Sequence, residues 1–283
     1  MVSVIVCAII DGNSNPYPNT TKYLKDAFNK NEYGVKIIDS DKGEDVTDSL
    51  ISENKEFYEN GDGDKAFHYM KRAADGGEPS AFAQLGFYYR EGIGTKKDIQ
   101  KAMKYLKMAI EENETDGYYW MAEIYEYGED GIKNEKKAAE YMLKAAQLGE
   151  PAAQARVGEY YYDGRVFPKD GALAFKWLNE SFKKTGSYWW PGYYLGLCYL
   201  NGVGTSQNMQ RAVAIFENSL KSGNRHHTEL LKTLADCYER GLGVPVNKSR
   251  AQEYRGRIKK EQDDISELAR LLLEDPIPLK NQE

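Results

Sequence analysis

Three histidines, three cysteines and one alternating run of acids are the residues of this 283-residue chain whose types could hold a metal or attack a bond. The acid run is Asn60, Asp62 and Asp64, spaced as in a calcium loop. Such a loop needs glycine at its next position and glutamate at its last. Lys65 and Lys71 stand there instead. His226-His227 have Cys237 downstream, outside the spacing of a zinc site. His68 reads as a surface or packing residue of a helix. No G-x-S-x-G, no H-E-x-x-H and no phosphate-binding glycine loop closed by Lys-Ser/Thr occurs. The expectation is a chain without catalytic residues, metal or cofactor.

Aromatic residues offer a different chemistry. Tyr118-Tyr119-Trp120, Tyr160-Tyr161-Tyr162 and Tyr188-Trp189-Trp190 with Tyr193-Tyr194 form three clusters. Consecutive residues of a helix point in different directions, so packing cannot absorb all of them. Exposed Trp and Tyr are the usual anchors of protein interfaces. Trp120, Tyr194 and one of Trp189 or Trp190 are open to either use, packing or binding.

The elements that position these clusters recur. A tyrosine, two residues and a glycine appear six times, ending at Gly61, Gly92, Gly128, Gly164, Gly202 and Gly241. The glycines are 31, 36, 36, 38 and 39 residues apart, a period that marks stacked repeats. Six residues before the glycine stands a small residue: Gly86, Ala122, Gly158, Gly196 and Ala235. Seven before it stands an apolar one: Leu85, Met121, Val157, Leu195 and Leu234. Six after it stands Asp98, Asn134, Asp170, Asn208 or Asn247, each an expected helix N-cap. An alanine follows at Ala102, Ala138, Ala174, Ala212 and Ala251. Apolar or small residues at three and seven beyond it complete one helical face. Gly76, Gly149, Gly186, Gly223 and Asn113 are expected to stop the second helices. Each unit reads as helix, glycine loop, capped helix and stop.

The pattern Leu85-Gly86, Tyr89, Gly92, Gly94, Asp98, Lys101-Ala102, Tyr105, Ala109 resembles the SEL-one-like repeat (SLR), a relative of the tetratricopeptide repeat (TPR). The third copy replaces the second glycine by Asp130, and the first copy has a shortened loop at Gly61-Asp62-Gly63-Asp64. The resemblance implies an all-α, right-handed helical-hairpin solenoid, an SLR/TPR-like superhelix of about six hairpins over residues 45–262. It implies an adaptor or scaffold that binds a protein or peptide partner in a concave groove lined by the first helices. Two other roles are carried with it. One is an immunity or antidote protein that neutralises a toxin. The other is a regulatory fragment derived from a caspase-like peptidase fused to SLR repeats. Positions eight, five and one before the glycine then become the open-face candidates. They are Trp120, Glu123 and Tyr127; Arg156, Glu159 and Asp163; Tyr194, Leu197 and Asn201. That mixture suits a segment with apolar anchors and basic residues.

Charge agrees. The net charge is −6, with both signs well represented, which argues against nucleic acid and anionic membranes. No stretch is long enough to span a membrane, and a cytoplasmic protein is expected. Cys198 and Cys237 occupy equivalent places in adjacent copies. Equivalent places lie roughly 10 Å apart by helix packing distances, too far for a disulfide. Free thiols are expected, unlike the disulfide-stapled secreted branch of the family.

Residues 1–44 lie outside the repeat. Val2–Ile10 and Val35–Asp39 read as strands and Thr20 or Thr21 as the cap of a helix between them, a small α/β appendage. The run Ala8 to Ser14 with Pro18-Asn19 resembles the first strand and loop of caspase-like peptidases. The segment is far too short to be such a domain and lacks the His and Cys pair. Its strand edges would be covered by the first hairpin or by a second copy of the chain, a homo-oligomer through residues 1–44. Residues 263–283 read as a capping helix, from Asp264 and Glu267, and a tail.

Overall fold

The computed structural model describes residues 7–10, 36–39, 51–52, 55, 58, 61–222 and 228–260. The helix expected after Thr20 or Thr21, the Gly223 stop, His226-His227 and the terminal helix after Asp264 lie outside them. The repeats fold as helical hairpins. Residues 51, 52, 55 and 58 belong to the first helix of the first hairpin, whose second helix is α1, Gly63–Asp75. The next hairpins are α2 (Pro79–Glu91) with α3 (Ile99–Glu111), and α4 (Thr115–Tyr127) with α5 (Glu135–Leu148). Then come α6 (Pro151–Asp163) with α7 (Gly171–Thr185), and α8 (Trp189–Asn201) with α9 (Met209–Ser219). The last pairs α10 (Thr228–Arg240) with α11, residues 248–260. The chain forms two compact units, 1–150 and 151–283. In the first, strands β1 (Cys7–Ile10) and β2 (Lys36–Asp39) pair in parallel, Cys7 opposite Lys36 and Ile10 opposite Asp39.

One loop geometry recurs because the same residues tie it. The anchor glycine closes its helix in the left-handed region, at φ +78° for Gly92 and +71° for Gly202, where a side chain is strained. The cap residue then works twice. Its side chain accepts from the backbone N–H three residues on, as Asn208 does from Arg211 at 2.9 Å. Its own N–H donates to the anchor tyrosine carbonyl, as Asn208 does to Tyr199 at 2.8 Å. The same pair of bonds recurs at Asp98, Asn134, Asp170 and Asn247. The residue three beyond the cap also lays its cation over the anchor ring. Lys101, Lys137, Arg211 and Arg250 lie 5.4, 5.2, 4.7 and 4.7 Å from the ring centres of Tyr89, Tyr125, Tyr199 and Tyr238. The fourth copy has Leu173 at that place, and Phe167 stacks on Tyr161 instead. The anchor tyrosine is thus a packing residue.

Packing explains the small residues. A Cβ on Gly86 would sit 2.7 Å from Leu106, and one on Gly158 2.6 Å from Leu178. Leu106, Met142, Leu178 and Phe216 are fully buried. They lie four residues beyond the repeat alanine, a position the expected spacing of three and seven left out. A helical stripe is broad enough to include it. The second loop glycine meets the hairpin before it. A Cβ on Gly94 would strike the carbonyl oxygen of Gly63, and one on Gly204 that of Gly171. One stop differs from expectation: Gly76 keeps a helical φ of −74°, and Gly77, at +86°, makes the reversal. Cys198 and Cys237 are free, buried thiols.

Candidate functional site

Each unit brings its own set of candidate residues together. In both, the first helices of neighbouring hairpins pack directly on one another, α2 on α4 and α6 on α8.

In the first unit the organising group is Arg90, which follows the anchor tyrosine of α2 and is only 8% exposed. Its Nε donates to Glu129 Oε1 at 2.6 Å. Its other nitrogens lie 3.2 Å from Glu91 and 3.7 Å from Glu123. Its guanidinium lies 5.6 Å from the ring centre of Trp120 and 5.8 Å from that of Tyr127. Lys97 reaches the second oxygen of Glu129 at 2.9 Å. Trp120 is held on another side by Phe87, ring centres 4.6 Å apart. Of the expected open-face residues here, Glu123 is buried inside this ion network, Trp120 is half-buried, and Tyr127 is 60% exposed. Glu123 is therefore corrected from open face to network: the helix rotates it toward Arg90, a partner two helices of sequence away.

In the second unit Arg156 plays a parallel part. Its guanidinium lies 4.2 Å from the ring centre of Trp190, and its NH1 is 3.2 Å from Glu159 Oε2. Glu159 also hydrogen-bonds the Tyr194 hydroxyl. Burial raises the Glu159 carboxyl above its ordinary range; Arg156 opposes this and Asp163 adds to it. Burial, then the charges of Glu159 and Asp163, push the Tyr194 phenol well up. Tyr194 packs edge-on to Tyr162, whose hydroxyl accepts from Asn201 Nδ2 at 3.5 Å. Asp163 and Asn201 are exposed, while Arg156, Glu159, Tyr194 and Leu197 are half-buried.

The tryptophans of both sets thus carry an arginine from their own chain. Arg90 and Glu129 were not among the residues singled out from sequence, and Tyr162 was singled out only as a member of an aromatic cluster. A charged residue in the middle of a buried helical turn, Tyr88-Tyr89-Arg90, was the available signal for the first. His68 is exposed beside Tyr69, as a surface residue. Among the described residues no group of three or more His, Cys, Asp or Glu is placed to hold a metal ion. Nor is any described helix long and apolar enough to cross a membrane.

The Sel1 repeat model matches residues 56–78, 79–114, 115–150, 151–184, 193–224 and 234–254. The chain belongs to the Sel1 repeat family. A search of the curated proteins found no match. Among solved structures, the Sel1 repeat protein from Oxalobacter formigenes is 24% identical with a TM-score of 0.66, covering 75% of this chain and 82% of that one. The protein c5321 of uropathogenic Escherichia coli, a protective antigen with an SLR fold, is 26% identical with a TM-score of 0.62. That match covers 76% of this chain and 46% of c5321. These likenesses agree with the hairpin fold seen here. Sel1 repeats generally mediate protein–protein interaction, and in this Sel1 repeat chain Tyr127, Asp163 and Asn201 are exposed on the first helices.

Proposed function

We propose that this Sel1 repeat protein is a non-enzymatic scaffold of the cytoplasm, which holds a protein or peptide partner on its first-helix faces. The observation that carries this reading is the direct packing of α6 on α8. It leaves Asp163 and Asn201 exposed beside the Arg156–Glu159–Tyr194 group. Residues held in this way are pre-organised, which lowers the entropy lost on binding. Trp120 and Tyr127 form the corresponding set of the first unit, with Glu123 buried beneath them in the Arg90 network. Two buried free thiols suit a reducing compartment. The antidote role is one instance of the same activity, with a toxin as the partner.

Affinity purification on the full chain tests this, with the partner identified and its binding measured. Asp163→Lys with Asn201→Arg is expected to weaken that complex about thirty-fold, the effect of losing a hot spot of about 2 kcal/mol. Helix content by circular dichroism is expected to stay unchanged. A partner held equally by the variant would remove this face. Turnover in a hydrolase screen of the purified chain would overturn the scaffold reading.

A further inference from the structure

The loop after α4 is seated differently from its counterparts. In the second, fifth and sixth copies the residue after the anchor glycine is Ile93, Val203 or Leu242. Its N–H donates to the carbonyl five residues back, on Tyr88, Cys198 or Cys237. Its half-buried side chain packs on the core. A glycine follows in the left-handed region, Gly94, Gly204 or Gly243. The third copy has Glu129 and Asp130 at these two places. Asp130 still takes the left-handed turn, at φ +50°, which strains a residue that carries a side chain. Glu129 seats the loop by charge instead of by hydrocarbon. Its Oε1 accepts from Arg90 Nε at 2.6 Å, and its Oε2 lies 2.9 Å from Lys97 Nζ. The Arg90 and Glu129 side chains are about equally buried, at 9% and 12% exposure. Removing either charge from such a pair leaves the other poorly solvated. Lys97, by contrast, reaches in from solvent.

We propose that residues 128–133 are an ion-latched strap. Glu129, held by Arg90 and Lys97, keeps shut a turn that Asp130 strains. Withdrawing Glu129 opens this loop alone, while the helices on either side stay folded. Opening removes the shortest carboxylate contact of Arg90 and leaves it Glu91 and Glu123. It thereby loosens the group that lies against Trp120 and Tyr127. The latch sets how firmly the first-helix aromatics of this unit are held, whatever partner they meet.

The test is native-state hydrogen exchange on the full chain, read at the amides that close the loop. Gly131 donates to the Gly128 carbonyl at 3.0 Å, Ile132 to Glu129 at 3.2 Å and Asn134 to Tyr125 at 2.9 Å. The amides of Leu106 and Met142, fully buried in α3 and α5 of the same unit, are the controls. Glu129→Gln keeps the side-chain shape and removes the charge. It is expected to lower protection of the loop amides about ten-fold and to leave the controls unchanged. Lys97→Met, which removes the exposed arm of the latch, is expected to lower it about three-fold. Asp130→Gly is expected to raise protection about five-fold and to restore most of what Glu129→Gln loses. A loss shared equally by Leu106 and Met142 would mean general destabilisation and overturn the latch. Loop amides indifferent to Glu129→Gln and Lys97→Met, or no gain from Asp130→Gly, would overturn it as well.

Discussion

Glu159 holds its proton more tightly in the folded chain than in the unfolded one, because burial outweighs the attraction of Arg156. The sign follows from linkage. A carboxyl with a raised folded pKa contributes stability fully below its unfolded value, and that contribution is lost as pH rises through the raised value. Glu159→Gln does not titrate. Thermal melts at about pH 4 and about pH 7 bracket the ordinary carboxylate range from its acid edge. The variant is expected to gain on the wild type between the first and the second. A gap independent of pH, or one moving the other way, would refute the burial account. The three carboxylate contacts of Arg90 leave the buried cation compensated, and isolated burial of such a charge would be costly.

The four hairpins from α2–α3 to α8–α9 place a small residue on the first helix and a large buried one on the second. The clearest case is Gly196, whose added Cβ would sit 2.6 Å from Phe216 Cδ1. Gly196→Ala is expected to destabilise by about 1–3 kcal/mol, the usual effect of overpacking. Gly256 is also helical, on α11, but an added Cβ there meets nothing within 4 Å. Gly256→Ala is expected to stabilise by about 0.5–1 kcal/mol through helix propensity alone. Urea denaturation compares the two. Equal effects would mean that the close approach of α8 and α9 is not what selects glycine. The loops are equally determinate, since one cap residue makes a side-chain bond forward and a backbone bond back to the anchor tyrosine.

At the scale of the whole molecule, stability is distributed over hairpins that bury their faces against neighbours. Cys198 and Cys237 report on this from inside the second unit. Burial pushes their thiols up to about 12 and about 11, and the thiolate is the reactive form. In a Cys7→Ser chain at about pH 8, the native protein is expected to resist a thiol reagent and to react at both sites in denaturant, reporting the opening of this unit. Rapid native labelling would show that the unit opens locally. What the sequence by itself determined is the repeated hairpin: the caps, the left-handed glycines and the core stripe. These depend on residues a few places apart, and recurrence makes the pattern plain. The nine open-face candidates came from the same local geometry, and it could not say what each one meets. Only the tertiary structure decided that Glu123 lies within an ion network, that Trp120 and Trp190 are each covered by an arginine, and that Tyr127 is left exposed. Arg90 and Glu129 are 39 residues apart. Their contact exists because α2 and α4 pack side by side, and no local spacing encodes which side chains then face each other.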